Sequence, residues 1–429
     1  MTCDSREFFK LYFHELEKRS IPFVILHSYQ KMPDEISSDI DYAVPSSDLP
    51  KLGAIQVEIA RKHGWALVQT LQHGVFAYYA VLANMENPAE TLKLDACSNY
   101  ARICRLLVPE SILLGNRSAC RGFYIPAPAA EFIYIVAKMF DAKNKSPANY
   151  IPRLKELWSR DPANAQKYFT GLFGETGRTL EKWFECSPDE WRRLGKIMFE
   201  RNGFGPALMF REGVRGVKRV FQPTGVYIAV LGSDGSGKST LLKNLLGLLE
   251  PCYRSAQTVH FRPTILQKRT RDDAAAIATP HGRPPRSALT SWLRVLYYFA
   301  DNWAGWFFKI IPAKICSTLL IFDRNFDDML VDERRYRLSK TSFVVRILRK
   351  LLPGADRTFV LTAPAAIIHE RKPELALEVL KQQQTTLREL TARNRRYILV
   401  SAEQPAETVA RDVAREVLKF MAAREERRN

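Results

Sequence analysis

The run Val226-Tyr-Ile-Ala-Val-Leu-Gly-Ser-Asp-Gly-Ser-Gly-Lys-Ser-Thr240 limits what this chain can fold into more than any other stretch. Residues 226–231 are apolar and rich in β-branched side chains, enough for one buried strand. Gly232-Ser-Asp-Gly-Ser-Gly-Lys238-Ser239 follows at once and matches G-x-x-x-x-G-K-[ST]. Leu241, Leu242, Leu245 and Leu248 then recur at helical spacing. Strand, glycine loop and helix in this order form a phosphate cradle. The glycines let the backbone curl so that its N–H groups face an anion, and the helix N-terminus adds positive partial charge. Gly232, Ser233, Asp234, Gly235, Ser236, Gly237, Lys238, Ser239 and Thr240 are therefore the expected ATP-binding residues. Lys238 would reach the β- and γ-phosphates, and Ser239 would ligate Mg²⁺.

A length of 429 residues suggests two or three domains. Hydrophobic content of 46% and charged content of 26% are those of a folded chain, too apolar for disorder. The net charge of +18 favours anionic partners: nucleotides, nucleic acid, anionic lipid or a phosphorylated glycan. It is spread along the chain with no long basic tail, so a solvated basic surface is expected and no specific nucleic-acid partner. Cys3, Cys97, Cys104, Cys120, Cys186, Cys252 and Cys316 are odd in number and irregular in spacing, without a C-x-x-C pair. That pattern predicts reduced thiols and no zinc module. The first residues are charged and lack an apolar signal core. We expect a cytoplasmic protein, with peripheral contact to an anionic membrane and homodimer formation left open.

Residues 4–19 predict an amphipathic helix, and 22–26 a buried strand. Ser38-Asp39-Ile40-Asp41-Tyr42-Ala43-Val44 predicts a second strand. In a strand, Asp39 and Asp41 would share a face. Two adjacent carboxylates repel unless a cation lies between them, the geometry that holds Mg²⁺ for in-line attack on a nucleotide phosphate. Residues 91–96 read as a further strand, with Asp95 just past its apolar centre. This layout resembles the polymerase-β type of nucleotidyltransferase, which carries a Gly-Ser turn, an Asp-x-Asp strand and a third Asp on a later strand. The resemblance implies an α+β domain with Asp39 and Asp41 as a metal pair and Asp95 as the third acid. The turn reads His27-Ser28, so a side chain stands where the backbone would approach a triphosphate. A surface Asp-x-Asp on an ordinary edge strand is the alternative.

Residues 126–205 carry helical periodicity without motif chemistry and are expected to form a layer on the N-terminal domain of residues 1–125. Residues 206–225 form a basic amphipathic linker, with Phe210, Val214, Val217 and Phe221 on one stripe. From 226 to 429, strands and helices alternate as in a parallel α/β domain. The expected strands are 226–231, 257–262, 318–323, 357–362 and 396–400. Residues 286–311 are rich in aromatics and read as a core helix pair, a substrate platform or an interfacial patch. Their charged residues argue against a spanning helix.

Three later stretches narrow the chemistry to phosphoryl transfer. Residues 318–323 end a strand on Asp323-Arg324, an acid suited to organising Mg²⁺ and a cation suited to an anionic acceptor. Arg262-Pro263 closes the second strand, and ligands of open parallel sheets bind at the carboxyl ends of strands. Residues 369–373, His-Glu-Arg-Lys-Pro, stand between a short and a long helix as a closing lid would. Residues 226–424 resemble the thymidylate kinase family, and most closely its divergent branch found among bacterial cell-surface polysaccharide genes. The resemblance rests on the glycine loop, Asp323-Arg324, Arg262-Pro263 and Arg371. It implies a P-loop NTPase fold with a parallel five-stranded sheet between helices. It also implies that Asp234 faces the acceptor, Arg262 and Arg324 grip it, and Arg371 serves the transition state. Catalysis would then rest on Lys238, Asp323, Arg324 and Arg371, with Ser239 and Asp323 at Mg²⁺.

The chain departs from thymidylate kinases in the segment that reads thymine, which here runs Asn325-Phe-Asp-Asp-Met-Leu-Val-Asp332-Glu-Arg334-Arg335-Tyr336-Arg337. The expected activity is ATP-dependent phosphorylation of a small-molecule or glycan acceptor: a sugar, a glycan terminus or a nucleoside monophosphate. A dTMP kinase, a bifunctional kinase and nucleotidyltransferase, and a non-catalytic ATP-binding scaffold at the membrane are the alternatives.

Overall fold

The computed structural model describes residues 3–141, 149–174, 180–185, 187–266, 284–373 and 375–429. The chain divides into two compact units. Unit 1 is Met1–Phe221 with Leu418–Asn429, and unit 2 is Gln222–Val417.

Unit 1 begins with the helix Ser5–Lys18, started by Asp4, whose carboxylate accepts from Glu7 N at 2.8 Å. Its stripe of Phe8, Phe9, Tyr12, Phe13 and Leu16 is fully buried. That stripe packs on a five-stranded mixed sheet of β1 (Val24–Ile25), β2 (Ile40–Ala43), β3 (Trp65–Gly74), β4 (Ala77–Asn84) and β5 (Thr91–Cys97). The spatial order is β1-β2-β5-β4-β3, with β2 and β5 parallel and the other pairs antiparallel. Two hairpins follow, β6 (Tyr100–Arg102) with β7 (Arg105–Val108), and β8 (Ser118–Cys120) with β9 (Phe123–Ile125). A second core joins Val24, Leu26 and Ala43 to Phe132, Ile133 and Val136 of the helix Pro128–Asp141. Behind it come the helices Ile151–Arg160 and Pro162–Phe173, whose Leu154, Leu157 and Phe169 join this core.

The amphipathic segment after residue 205 is the helix Pro206–Phe221. Its polar side is fastened to the β3–β4 hairpin: Val75 N donates to Glu212 at 3.0 Å, and Arg215 donates to Gln72 O at 3.1 Å. Phe210, Val214, Val217 and Phe221 are exposed. The end of the last helix, Ala406–Glu426, belongs to unit 1 through Glu425, which accepts from Thr70 N at 3.2 Å.

Unit 2 is mixed α/β around an all-parallel sheet flanked by helices. Its strands are β10 (Val226–Gly232), β11 (Ser255–His260), β12 (Thr318–Asp323), β13 (Arg357–Thr362) and β14 (Tyr397–Ser401), in the order β11-β12-β10-β13-β14. Each overlaps its expected range. β10 lies at the centre and every residue of it is buried, as its unbroken apolar run requires in a parallel sheet covered on both faces. Val230 pairs with Asp323, and His260 with Asp323, so the carboxyl ends of three strands come level.

The aromatic segment is the helix Ala288–Gly305 followed by a π-helical turn at Trp306–Ile310. Val295 and Tyr298 face the core, whereas Trp292, Phe307 and Phe308 are exposed. Gly305 ends this helix against Pro263: a Cβ added to it would fall 2.0 Å from the Pro263 ring. Gly305→Ala should therefore displace the Arg262-Pro263 turn and destabilise unit 2 by about 1–3 kcal/mol. An unchanged denaturation midpoint would show that the turn gives way freely.

Among the described residues no helix is long and apolar enough to cross a membrane. The six described cysteines are free thiols, and Cys186 lies outside the described residues.

Candidate functional site

The glycine loop joins β10 to the helix Lys238–Leu249. Gly235 and Gly237 have φ of +87° and +92°, the left-handed region that glycine enters without strain. A Cβ at Gly235 would also meet Ile368 O at 3.1 Å. Lys238 is folded back under the loop, and its Nζ donates to Gly232 O at 2.7 Å and Ser233 O at 2.8 Å. Burial, reinforced by the Arg324 charge, lowers its pKa to about 7 against the pull of Asp234, Asp328 and Asp323. Ser236 Oγ is buried without a hydrogen-bond partner, while Ser239 and Thr240 are exposed on the first helical turn. Ser233 Oγ accepts from Gln384 Nε2 at 3.1 Å.

Asp323 ends β12 beside this loop. One carboxylate oxygen lies 2.9 Å from His260 Nδ1, and the other is buried with no hydrogen-bond partner. Burial opposes ionisation of Asp323, yet the hydrogen bond and charge of His260, with Arg324 and Lys238, bring its pKa below the ordinary carboxylate value. The free oxygen and the exposed Ser239 hydroxyl are a donor set that fits Mg²⁺ held jointly with nucleotide phosphates. Arg324 follows with φ +73°, an unusual conformation for a residue with a side chain. Its guanidinium meets both oxygens of Asp328, at 3.0 and 2.9 Å, and hydrogen-bonds Asp234.

Asp234 also receives Arg335, with Lys238 at 3.8 Å and Lys372 at 3.9 Å. Burial would raise its pKa, but Arg324, Arg335 and the two lysines hold it at about 2. The resulting stability is complete above the unfolded value of 3.8 and fades as the pH falls through about 2. One loop carboxylate thus gathers cations from the end of β12, the segment after it, the loop's own helix and the residue after the helix Ala365–Arg371.

Arg262 is buried, donating to Tyr297 Oη and to Asp301, both at 3.1 Å. Asp301 is fully buried and also accepts from Thr264, Ile265 and Leu266 N, so the turn after β11 is built around it. Arg371 ends the short helix Ala365–Arg371 and donates to Ala402 O at 3.3 Å. It lines a cavity of about 550 Å³ with Gly235, Gly237 and Thr240 on one side and residues 402–406 on the other. A space of this size takes a nucleotide-sized ligand.

The acids of unit 1 are also brought near one another, with one difference. Asp39 lies one residue ahead of β2 rather than on it, because the ladder with β5 begins only at Ile40↔Leu94. Asp41 and Asp95 are register partners on β2 and β5. Asp41 lies 2.9 Å from His27 Nε2 and 3.3 Å from Lys138 Nζ. Burial alone would raise its pKa, but the hydrogen bonds and electrostatic pull of His27 and Lys138 set it at about 2. Asp95 meets His73 Nε2 at 2.7 Å. Asp39 has a raised pKa, through burial and the nearby charges of Asp41 and Asp95, partly offset by Lys93 and Tyr79. In the His27-Ser28 turn it is Ser28, at φ +60°, that occupies the glycine-favouring conformation.

His260, Asp328, Gln384 and Asp301 were not legible as site residues, whereas Arg335 stands in the basic run Arg334-Arg335-Tyr336-Arg337, which reads in sequence as a solvated basic helix or as contacts to an acceptor phosphate. His260 meets Asp323 only because β11 and β12 are neighbours. The basic run scatters: Arg335 turns to Asp234, Arg337 donates to Pro284 O at 3.0 Å, and Arg334 lines a separate cavity of about 360 Å³ with Arg346 and Arg349. No protein-family model matches the chain, and no curated protein matches it.

Proposed function

We propose that unit 2 is a P-loop kinase of the thymidylate kinase-like type, which transfers the γ-phosphoryl group of ATP to a small-molecule or glycan acceptor. The observation that carries this reading is the convergence on one glycine loop of Lys238, Asp323, Arg324 and Arg371, drawn from the helix after the loop, the end of β12 and the end of the short helix Ala365–Arg371. The cavity between the loop, Arg371 and residues 402–406 receives the nucleotide. Lys238 exchanges its two loop carbonyls for phosphate oxygens. Asp323 and Ser239 hold Mg²⁺, which supplies charge neutralisation at the β- and γ-phosphates. Arg324 and Arg335, parked on Asp234, face the side from which an anionic acceptor approaches, and Asp234 orients them. Unit 1 takes a nucleotidyltransferase-like fold in this reading, with its three acids at one end of the β2–β5 pair.

The acceptor is tested by following ADP formation from Mg-ATP with dTMP, monosaccharides and lipid-linked glycans in turn, against the Lys238→Ala protein as blank. We expect acceptor-dependent turnover with one of these classes. Turnover with dTMP would make the enzyme a nucleoside monophosphate kinase despite its altered segment 325–337. ATP binding without ADP formation across all three would refute phosphoryl transfer to these classes.

A further inference from the structure

The carboxylate site of unit 1 already contains a cation of its own. Lys138, on the helix Pro128–Asp141, places Nζ 3.4 and 3.3 Å from the two oxygens of Asp41 and 2.7 Å from His27 Nε2. The ammonium also lies 5.7 Å from the ring centre of Tyr134, whose hydroxyl is 3.4 Å from Asp41. Both oxygens of Asp41 are thus engaged, one of them by His27 as well. Asp95, its register partner, is engaged by His73, and Asp39 by Tyr79 and Lys93. A divalent ion bound to these acids needs unshared carboxylate oxygens in close contact with it, and it would be repelled by the ammonium beside them. Among the described residues no three His, Cys, Asp or Glu side chains are placed to hold a metal ion. The cavity against Asp41, Asp95, Tyr134 and Lys138 is about 110 Å³, well below the size of a nucleotide pocket.

We propose that Lys138 is the resident cation of this site, standing where a nucleotidyltransferase would carry its metal, and that unit 1 takes no divalent ion at Asp39, Asp41 and Asp95. Metal-dependent nucleotidyl transfer is then absent from unit 1, and Asp41 persists as an ion-pair brace between β2 and the helix of Lys138. This inference is independent of the kinase reading of unit 2.

The test is an Mn²⁺ titration of the full-length, nucleotide-free protein followed by electron paramagnetic resonance. Wild type and Asp41→Asn should bind the same number of ions. Lys138→Met should gain one site, about ten-fold or more tighter than any wild-type binding in unit 1. Adding Asp95→Asn to Lys138→Met should abolish that gain. A wild-type site that disappears in Asp41→Asn overturns the proposal, and this comparison holds even where Lys138→Met does not fold. Pyrophosphate release from Mg-nucleoside triphosphates that depends on Asp41 overturns it equally. A folded Lys138→Met protein that gains no site shows that the lysine is not what excludes the metal.

Discussion

Lys238→Ala is expected to lower ADP formation from Mg-ATP by about 10²–10³-fold, the usual cost of losing one positioned donor to the transferring charge. The side chain is buried and already holds two loop carbonyls at 2.7 and 2.8 Å, so it is pre-positioned for phosphate oxygens. Unimpaired turnover in a folded Lys238→Ala protein would refute the assignment of this loop. A second readout concerns pH. The lysine has a pKa of about 7 in the folded protein and 10.5 as a free group. The unfolded chain therefore binds more protons than the folded one between these values, so this group makes stability rise with pH across that window. The slope is at most about 1.4 kcal/mol per pH unit. Thermal unfolding of wild type minus Lys238→Met should become more favourable to wild type from pH 7 to 10. A constant difference would show that the amine is charged throughout. Bound phosphate restores the lysine's charge, so ATP binding near pH 7 to 8 should take up protons, which calorimetry in buffers of different ionisation enthalpy would read.

Asp323→Asn is expected to lower turnover by about 10²-fold or more while changing ATP affinity by less than about ten-fold. The carboxylate ends β12 with one oxygen on His260 and one buried oxygen without a partner, the capacity that the proposed Mg²⁺ or its waters would take up. Asparagine keeps the shape and removes the charge. Fluorescent-nucleotide titration and steady-state kinetics separate the two effects. Lost ATP binding with preserved turnover at saturating nucleotide would assign Asp323 to nucleotide binding instead. His260→Ala should reproduce part of the loss, because the imidazole fixes the orientation of the acid from the neighbouring strand.

The glycine loop and the central strands β10, β12 and β13 of unit 2 were legible because their signals are local. A parallel strand buried on both faces is an uninterrupted apolar run, and the loop needs glycine at positive φ and lysine at one spacing. The helix Ser5–Lys18 was legible for the same reason, through its stripe from Phe8 to Leu16. In unit 1 the antiparallel strands β3 and β4 are not among the elements expected from the sequence. Ala77–Asn84 opens on seven consecutive apolar residues, a local strand signal like those of unit 2 that the motif-led reading of unit 1 passed over. Asp39 and Asp41 read in sequence as one strand face. The ladder begins a residue later, a boundary set by β5 and not by the local sequence.

Side-chain partners were decided at longer range. Arg262 reads in sequence as an acceptor clamp, yet it lies against Asp301, nearly forty positions away on a different element. Asp234 reads as a loop residue facing an acceptor, yet it collects Arg324 and Arg335 from beyond β12. Lys138 and His73 carry no motif at all, and they become partners of Asp41 and Asp95 through strand order and the docking of one helix. Residue type and spacing determine backbone conformation and a phosphate cradle, because those depend on neighbours within a few residues. Which charge neutralises which depends on the order of strands in the sheet and on how helices pack across it. That order is a global minimum over burial and pairing, and so the state of both carboxylate sites became readable only in the folded chain.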